Sequence, residues 1–99
     1  MIYLEERHKK IVCDILKKYP YTFYIYGSRV KCTHRPTSDL DVCFMESIPF
    51  NIQAHIEEDF ENSDLPFRVD LSDFNLMSKD FQNHIKKDLI VISYPTHHS

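Results

Sequence analysis

Across its 99 residues the chain has one glycine, Gly27, at the exit of a strand-like run from Tyr21 to Tyr26. Average usage of about 7% would supply roughly seven. A sole glycine marks a point where the backbone needs positive φ or must come close to a ligand. Ser28 follows it, and eleven positions after Ser28 an alternating acidic pair begins, Asp39 and Asp41. Strand, Gly-Ser, helix start and then Asp-x-Asp on the next strand is an order that suits a phosphate and a metal ion.

The remainder of the chain alternates between two periodicities. From Leu4 to Tyr19, Ile11, Val12, Ile15 and Leu16 recur at helical spacing, with an acidic start and a basic end that suit the helix dipole. Tyr19-Pro20 stops that helix. Tyr21 to Tyr26 reads as a strand and residues 28–34 as a short helix, followed by a turn at Arg35-Pro36-Thr37-Ser38. Leu40, Val42 and Phe44 alternate with Asp39, Asp41 and Cys43, a strand with one apolar face. Pro49 to Glu61 reads as a helix with Ile52, Ile56 and Phe60 on one side. Phe67, Val69 and Leu71 then alternate with Arg68, Asp70 and Ser72, Ser78 to Lys87 is a helix, and Leu89 to Ile92 a closing strand. The expected class is α/β (α+β), a single mixed sheet of about four strands with helices packed against it. Residues 1–93 form one domain, and 94–99 a loose tail.

Composition narrows the function. No apolar run approaches the roughly 18 residues of a membrane span. Cys13, Cys32 and Cys43 are odd in number and in no C-x-x-C spacing, which reads as free thiols of a cytoplasmic protein. A net charge of −3 argues against bulk nucleic-acid binding. A small phosphorylated ligand is still accommodated, because Arg29, Lys31 and Arg35 cluster just after Gly27.

The chemistry follows from the acids. Side chains two apart on a strand share a face about 6.5 Å apart, so Asp39 and Asp41 point the same way. Asp70 joins them if its strand lies alongside. Crowded carboxylates raise one another's pKa, a cost that a divalent cation removes; hard oxygen donors suit Mg²⁺ or Mn²⁺. Two such ions clamp the attacking and leaving oxygens of an in-line displacement at phosphorus. Gly27 and Ser28 supply a backbone turn and a hydroxyl for a triphosphate, with Arg29, Lys31 or Arg35 neutralising its charge. His55, Glu58 and Asp59, at helical spacing, read as an exposed polar face rather than a metal site. The tyrosines read as packing and strand formers.

Gly27 to Val42, Gly-Ser-Arg-Val-Lys-Cys-Thr-His-Arg-Pro-Thr-Ser-Asp-Leu-Asp-Val, resembles the signature of the polymerase-β-type nucleotidyltransferase superfamily. Ser63 to Asp73 further resembles its minimal (MNT) subgroup, small proteins made of the catalytic domain alone. The resemblance implies the nucleotidyltransferase fold and transfer of a nucleoside monophosphate from an NTP, usually ATP, to an acceptor hydroxyl. It implies Asp39, Asp41 and Asp70 as the metal-binding, catalytic carboxylates, and Gly27 and Ser28 as the phosphate-binding pair. It also implies a small helical HEPN-type partner, in some pairs a toxin that the MNT protein silences by attaching AMP. Homo-oligomerisation is left open. One departure is Cys32, where relatives commonly carry a second glycine. The competing expectation is a non-catalytic module that binds a nucleotide or neutralises a partner by contact.

Overall fold

The computed structural model describes residues 4–31 and 39–95, and only the backbone of Ser28 and Lys31. Cys32, Arg35 and the tail from Thr96 to Ser99 therefore lie outside the described residues. In chain order the elements are α1 (Glu6–Leu16), β1 (Phe23–Tyr26), α2 (Ser28–Lys31), β2 (Leu40–Phe44), α3 (Phe50–Glu61) and β3 (Val69–Asp73). A 3₁₀ turn (Phe74–Leu76), α4 (Lys79–Lys86) and β4 (Ile90–Ser93) complete it.

The four strands form one mixed sheet in the order β3-β2-β1-β4. β1 pairs antiparallel with β2 and β4, whereas β2 and β3 run parallel. A parallel pair needs a crossover, and α3 supplies it. Strand alternation then gives the sheet two chemically different faces. Phe23, Ile25, Leu40, Val42, Phe44 and Leu71 point to one face and pack with Val12 and Leu16 of α1 and Ile56 and Phe60 of α3. On the other face, Tyr26 and Cys43 meet Phe74 and Ile85 in a smaller cluster.

The helix ends follow local chemistry. α4 starts where the Ser78 hydroxyl accepts the Phe81 N–H at 3.2 Å, and the 3₁₀ turn where the Asp73 carboxylate accepts the Asn75 N–H at 2.9 Å. α1 is shorter than the periodicity suggests, and Lys17 and Lys18 fall just beyond it. Their segment is tied to α3 instead. Tyr19 donates its hydroxyl to Asp59 at 2.5 Å and lies 2.7 Å from His55 Nδ1, while Lys18 Nζ lies 3.0 Å from the same Asp59. The hydrogen bond from Tyr19, followed by that from Lys18, holds the Asp59 carboxyl below its usual range. His55 and Asp59 thus act as a clamp between helices rather than as a purely solvated face. Among the described residues no helix is long and apolar enough to cross a membrane.

Candidate active site

β1 ends and β2 begins side by side, and the sequence places its unusual residues at that end of the sheet. Tyr26 is opposite Asp41 in the β1–β2 register, and Asp41 is opposite Asp70 in the β2–β3 register. Neighbouring strands lie about 4.8 Å apart, so the three side chains form a row across one sheet face. The condition set by the sequence, that the Asp70 strand lie beside the Asp39–Asp41 strand, is met. Asp39 stands one residue ahead of β2, exposed, as is Asp70.

Gly27 ends β1 with φ of +86°, a conformation L side chains rarely adopt. A Cβ there would collide with a carboxylate oxygen of Asp41 and sit 3.3 Å from its Cγ. Asp41 itself makes such a close approach to this glycine. Two independent constraints, the backbone angle and the Asp41 carboxylate, favour glycine here.

The electrostatics mark Asp41 as the centre of the group. Burial, then the charge of Asp70, then that of Asp39 push its carboxyl up to about 6. Tyr26, read from the sequence as a packing residue, touches the same field. Burial and the Asp41 charge push its hydroxyl up to about 12, against a hydrogen bond with Ser72, which shares the Asp70 face of β3. Its ring also meets Phe81 edge-on at 6.1 Å. Position was the available signal: Tyr26 directly precedes Gly27 and has the strand parity of the acids.

Arg29 departs from expectation. It is only 5% exposed, and its guanidinium lies 4.3 Å from the centroid of the Phe67 ring. Its flat, weakly hydrated cation suits such stacking, which turns it into the core rather than toward a phosphate. α2 is also a single turn within the described residues, so a helix dipole contributes little at Ser28. The side chains of Ser28 and Lys31 lie outside the described residues.

Among the described residues no three metal-type donors are gathered tightly enough to hold an ion as they stand. The donor set still fits a hard cation. Mg²⁺ ordinarily takes one or two protein carboxylates and fills its other positions with water and phosphate oxygens. Adjacent acids at one strand register, one of them raised by burial and then by the other's charge, provide such a pair.

Comparison with known proteins places the chain in a family. The family model described as "Polymerase beta, Nucleotidyltransferase" matches residues 9–96. The chain belongs to this family. It is 42% identical over 74 residues to "Probable protein adenylyltransferase MntA" of Haemophilus influenzae, an alignment covering 73% of this chain and 65% of that protein. The chain thus spans just under two thirds of the curated relative it matches. The fold is similar to a solved structure described as a toxin-antitoxin with AMP-PNP, with a TM-score of 0.67 at 18% identity, covering 87% of this chain and 73% of that one. A nucleotidyltransferase-family domain of the minimal type accounts for the mixed four-stranded sheet.

Two predictions follow the geometry of Asp41. Its folded-state pKa exceeds the unfolded 3.8, so between about pH 4 and 6 the native state binds more proton and its stability falls as pH rises. Asp41→Asn removes that loss: without metal the variant is more stable than wild type at pH 7.5 by about 1–2 kcal/mol, and the gap closes near pH 3.5. Urea unfolding at both pH values measures it. Gly27→Ala costs about 2 kcal/mol or more, and Asp41→Ala in the same chain recovers the collision but not the φ penalty, which a double-mutant cycle reads out.

Proposed function

We propose that this chain is a divalent-metal-dependent nucleotidyltransferase that moves AMP from ATP to a hydroxyl group on a partner protein. The observation that carries the proposal is the Asp41–Asp70 pair, in register on adjacent strands and pressed against Gly27. Asp39, Asp41 and Asp70 hold Mg²⁺ or Mn²⁺, and Gly27, Ser28 and Lys31 approach the triphosphate. Bound metal supplies positive charge that lowers the cost of assembling the acids and steadies the attacking and leaving oxygens. Asp70, the exposed member of the pair, accepts the proton of the acceptor hydroxyl. The hydroxyl oxygen then forms a bond to the α-phosphorus as the bond to pyrophosphate breaks, in line on the opposite side. Asp41, partly buried and held against Gly27, keeps its carboxylate fixed through the step.

The MntA relative, named a protein adenylyltransferase, supports AMP as the transferred group and a protein as acceptor. The toxin-antitoxin structure with an ATP analogue supports pairing with a toxin, which we take to be a HEPN-type helical subunit in the cytoplasm. The exposed Leu76 and Phe81 beside the second sheet face favour a second component, neutralisation by contact alone. The two readings separate on the acids. Coexpressed partner should gain AMP mass with ATP and Mg²⁺ and lose it with a chelator. Asp39→Asn and Asp41→Asn should each slow transfer by on the order of 10²–10³-fold while leaving the fold intact. An untouched partner, or one silenced equally well by the double variant, contradicts the enzyme.

A further inference from the structure

Asp39 and Asp70 also line a cavity of about 500 Å³ that the reaction at the α-phosphate leaves unexplained. It lies between the last turns of α3, through Glu57, Phe60 and Glu61, and the outer side of β3. Three of its properties point to one kind of occupant.

The first is backbone. β3 is an edge strand, paired to β2 on one side and, among the described residues, to nothing on the other. The Arg68 carbonyl accepts the Leu40 N–H at 2.9 Å, so it faces β2. Backbone polar groups alternate sides along a strand, which turns those of Val69 and Leu71 outward, where both residues line the cavity. An open edge of this kind is a template for an added strand. The second is charge. Asp39, Glu57, Glu61 and Asp70 line the cavity with Arg68 as the one cation among the described residues there, and none of the four takes part in an ion pair among those residues. Glu57 and Glu61, which keep their charge when a cation occupies Asp39 and Asp70, repel a nucleic-acid backbone and attract lysine and arginine. The third is the floor, where the buried rings of Phe60 and Phe67 offer apolar contact to an alternate side chain.

We propose that this cavity is the acceptor site, and that it takes an extended, Lys- or Arg-rich segment of the partner protein as an added strand on β3. The segment presents a Ser, Thr or Tyr hydroxyl to Asp70, at the lip shared with the acidic row. The inference rests on the nucleotidyltransferase reading and adds the acceptor's chemistry to it. Donor and acceptor then enter from opposite sides, the triphosphate past Gly27 and the peptide along the β3 edge.

Binding of fluorescent peptides to the whole chain, measured by anisotropy without nucleotide, tests the site independently of turnover. A serine peptide flanked by lysines should bind about tenfold or more tighter than the same peptide flanked by glutamates. Glu57→Lys with Glu61→Lys, both on the exposed side of α3, should invert that order, with a melting curve to confirm the fold. Methylating alternate backbone amides of the lysine peptide should abolish binding, because an added strand needs them. With ATP and Mg²⁺, the lysine peptide should then gain AMP mass. Equal binding of both peptides, an order unchanged by the charge reversal, full binding of the methylated peptide, or tighter binding of a single-stranded oligonucleotide each overturns the inference. So does AMP transfer to a protein partner that ignores the Glu57 and Glu61 reversal, a result that leaves the nucleotidyltransferase reading standing. Loss of AMP transfer to every acceptor, with no stabilisation by ATP and Mg²⁺, instead sinks that underlying reading and the acceptor role with it.

Discussion

The carboxylate of Asp41 is held where a neutral or smaller group would be more comfortable. It is partly buried, faces Asp70 at the same strand register, and presses against the one residue without a Cβ. Like charges at that spacing repel, and burial weakens the solvent screening that would relieve them. The fold tolerates this because the opposite face of the same strands is well packed. Leu40, Val42 and Phe44 alternate with Asp41 and Cys43 and are almost fully buried under α1 and α3. Each apolar side chain removed from water contributes on the order of 1.5–3 kcal/mol, enough to fix β2 in place with its acid where it stands. Strain at one face is offset by the core at the other, as expected of a site that a cation completes.

Charge around that centre is sorted rather than spread. Arg29, the first cation after Gly27, is withdrawn onto Phe67 and stiffens the junction between α2 and the core. The acids that remain solvent-facing gather toward the β3 edge and α3, whereas Gly27 opens on the other side of Asp41. The surface therefore offers two distinct approaches, which suits the proposed pairing of an anionic donor with a basic acceptor. The α1–α3 clamp of Tyr19, Lys18, His55 and Asp59 lies outside this arrangement and fixes the helices that back the sheet.

Much of this was legible before any coordinates. The alternation in Leu40–Phe44 and Val69–Asp73 defined β2 and β3, and the count of apolar positions put Asp41 and Asp70 on the face opposite the core. Gly27 was identified by its solitude, and its backbone angle bears that out. What escaped was long-range. That β2 and β3 are parallel neighbours is set by the α3 crossover, which pattern alone leaves open. Arg29 reads as a phosphate ligand from spacing, because nothing local announces an aromatic ring nearly forty residues later. Tyr26 looked like one more strand aromatic, since its value lies in the partner strands that surround its hydroxyl. His55 and Asp59 looked solvated because Tyr19 and Lys18, which engage them, come from the distant segment just after α1.

The central claim is that a divalent ion binds at the junction of β1, β2 and β3, beside Gly27, with a nucleotide. Mn²⁺ broadens nuclear resonances close to it, so a titration of Mn²⁺ with a non-hydrolysable ATP analogue into isotopically labelled protein locates the ion directly. The account predicts selective loss of the amide signals of Gly27, Asp41 and Asp70, reversed by Mg²⁺, with those of His55 and Asp59 retained. Loss centred on His55 and Asp59 or on the C-terminal histidines, with the Gly27 and Asp41 signals sharp, would contradict it.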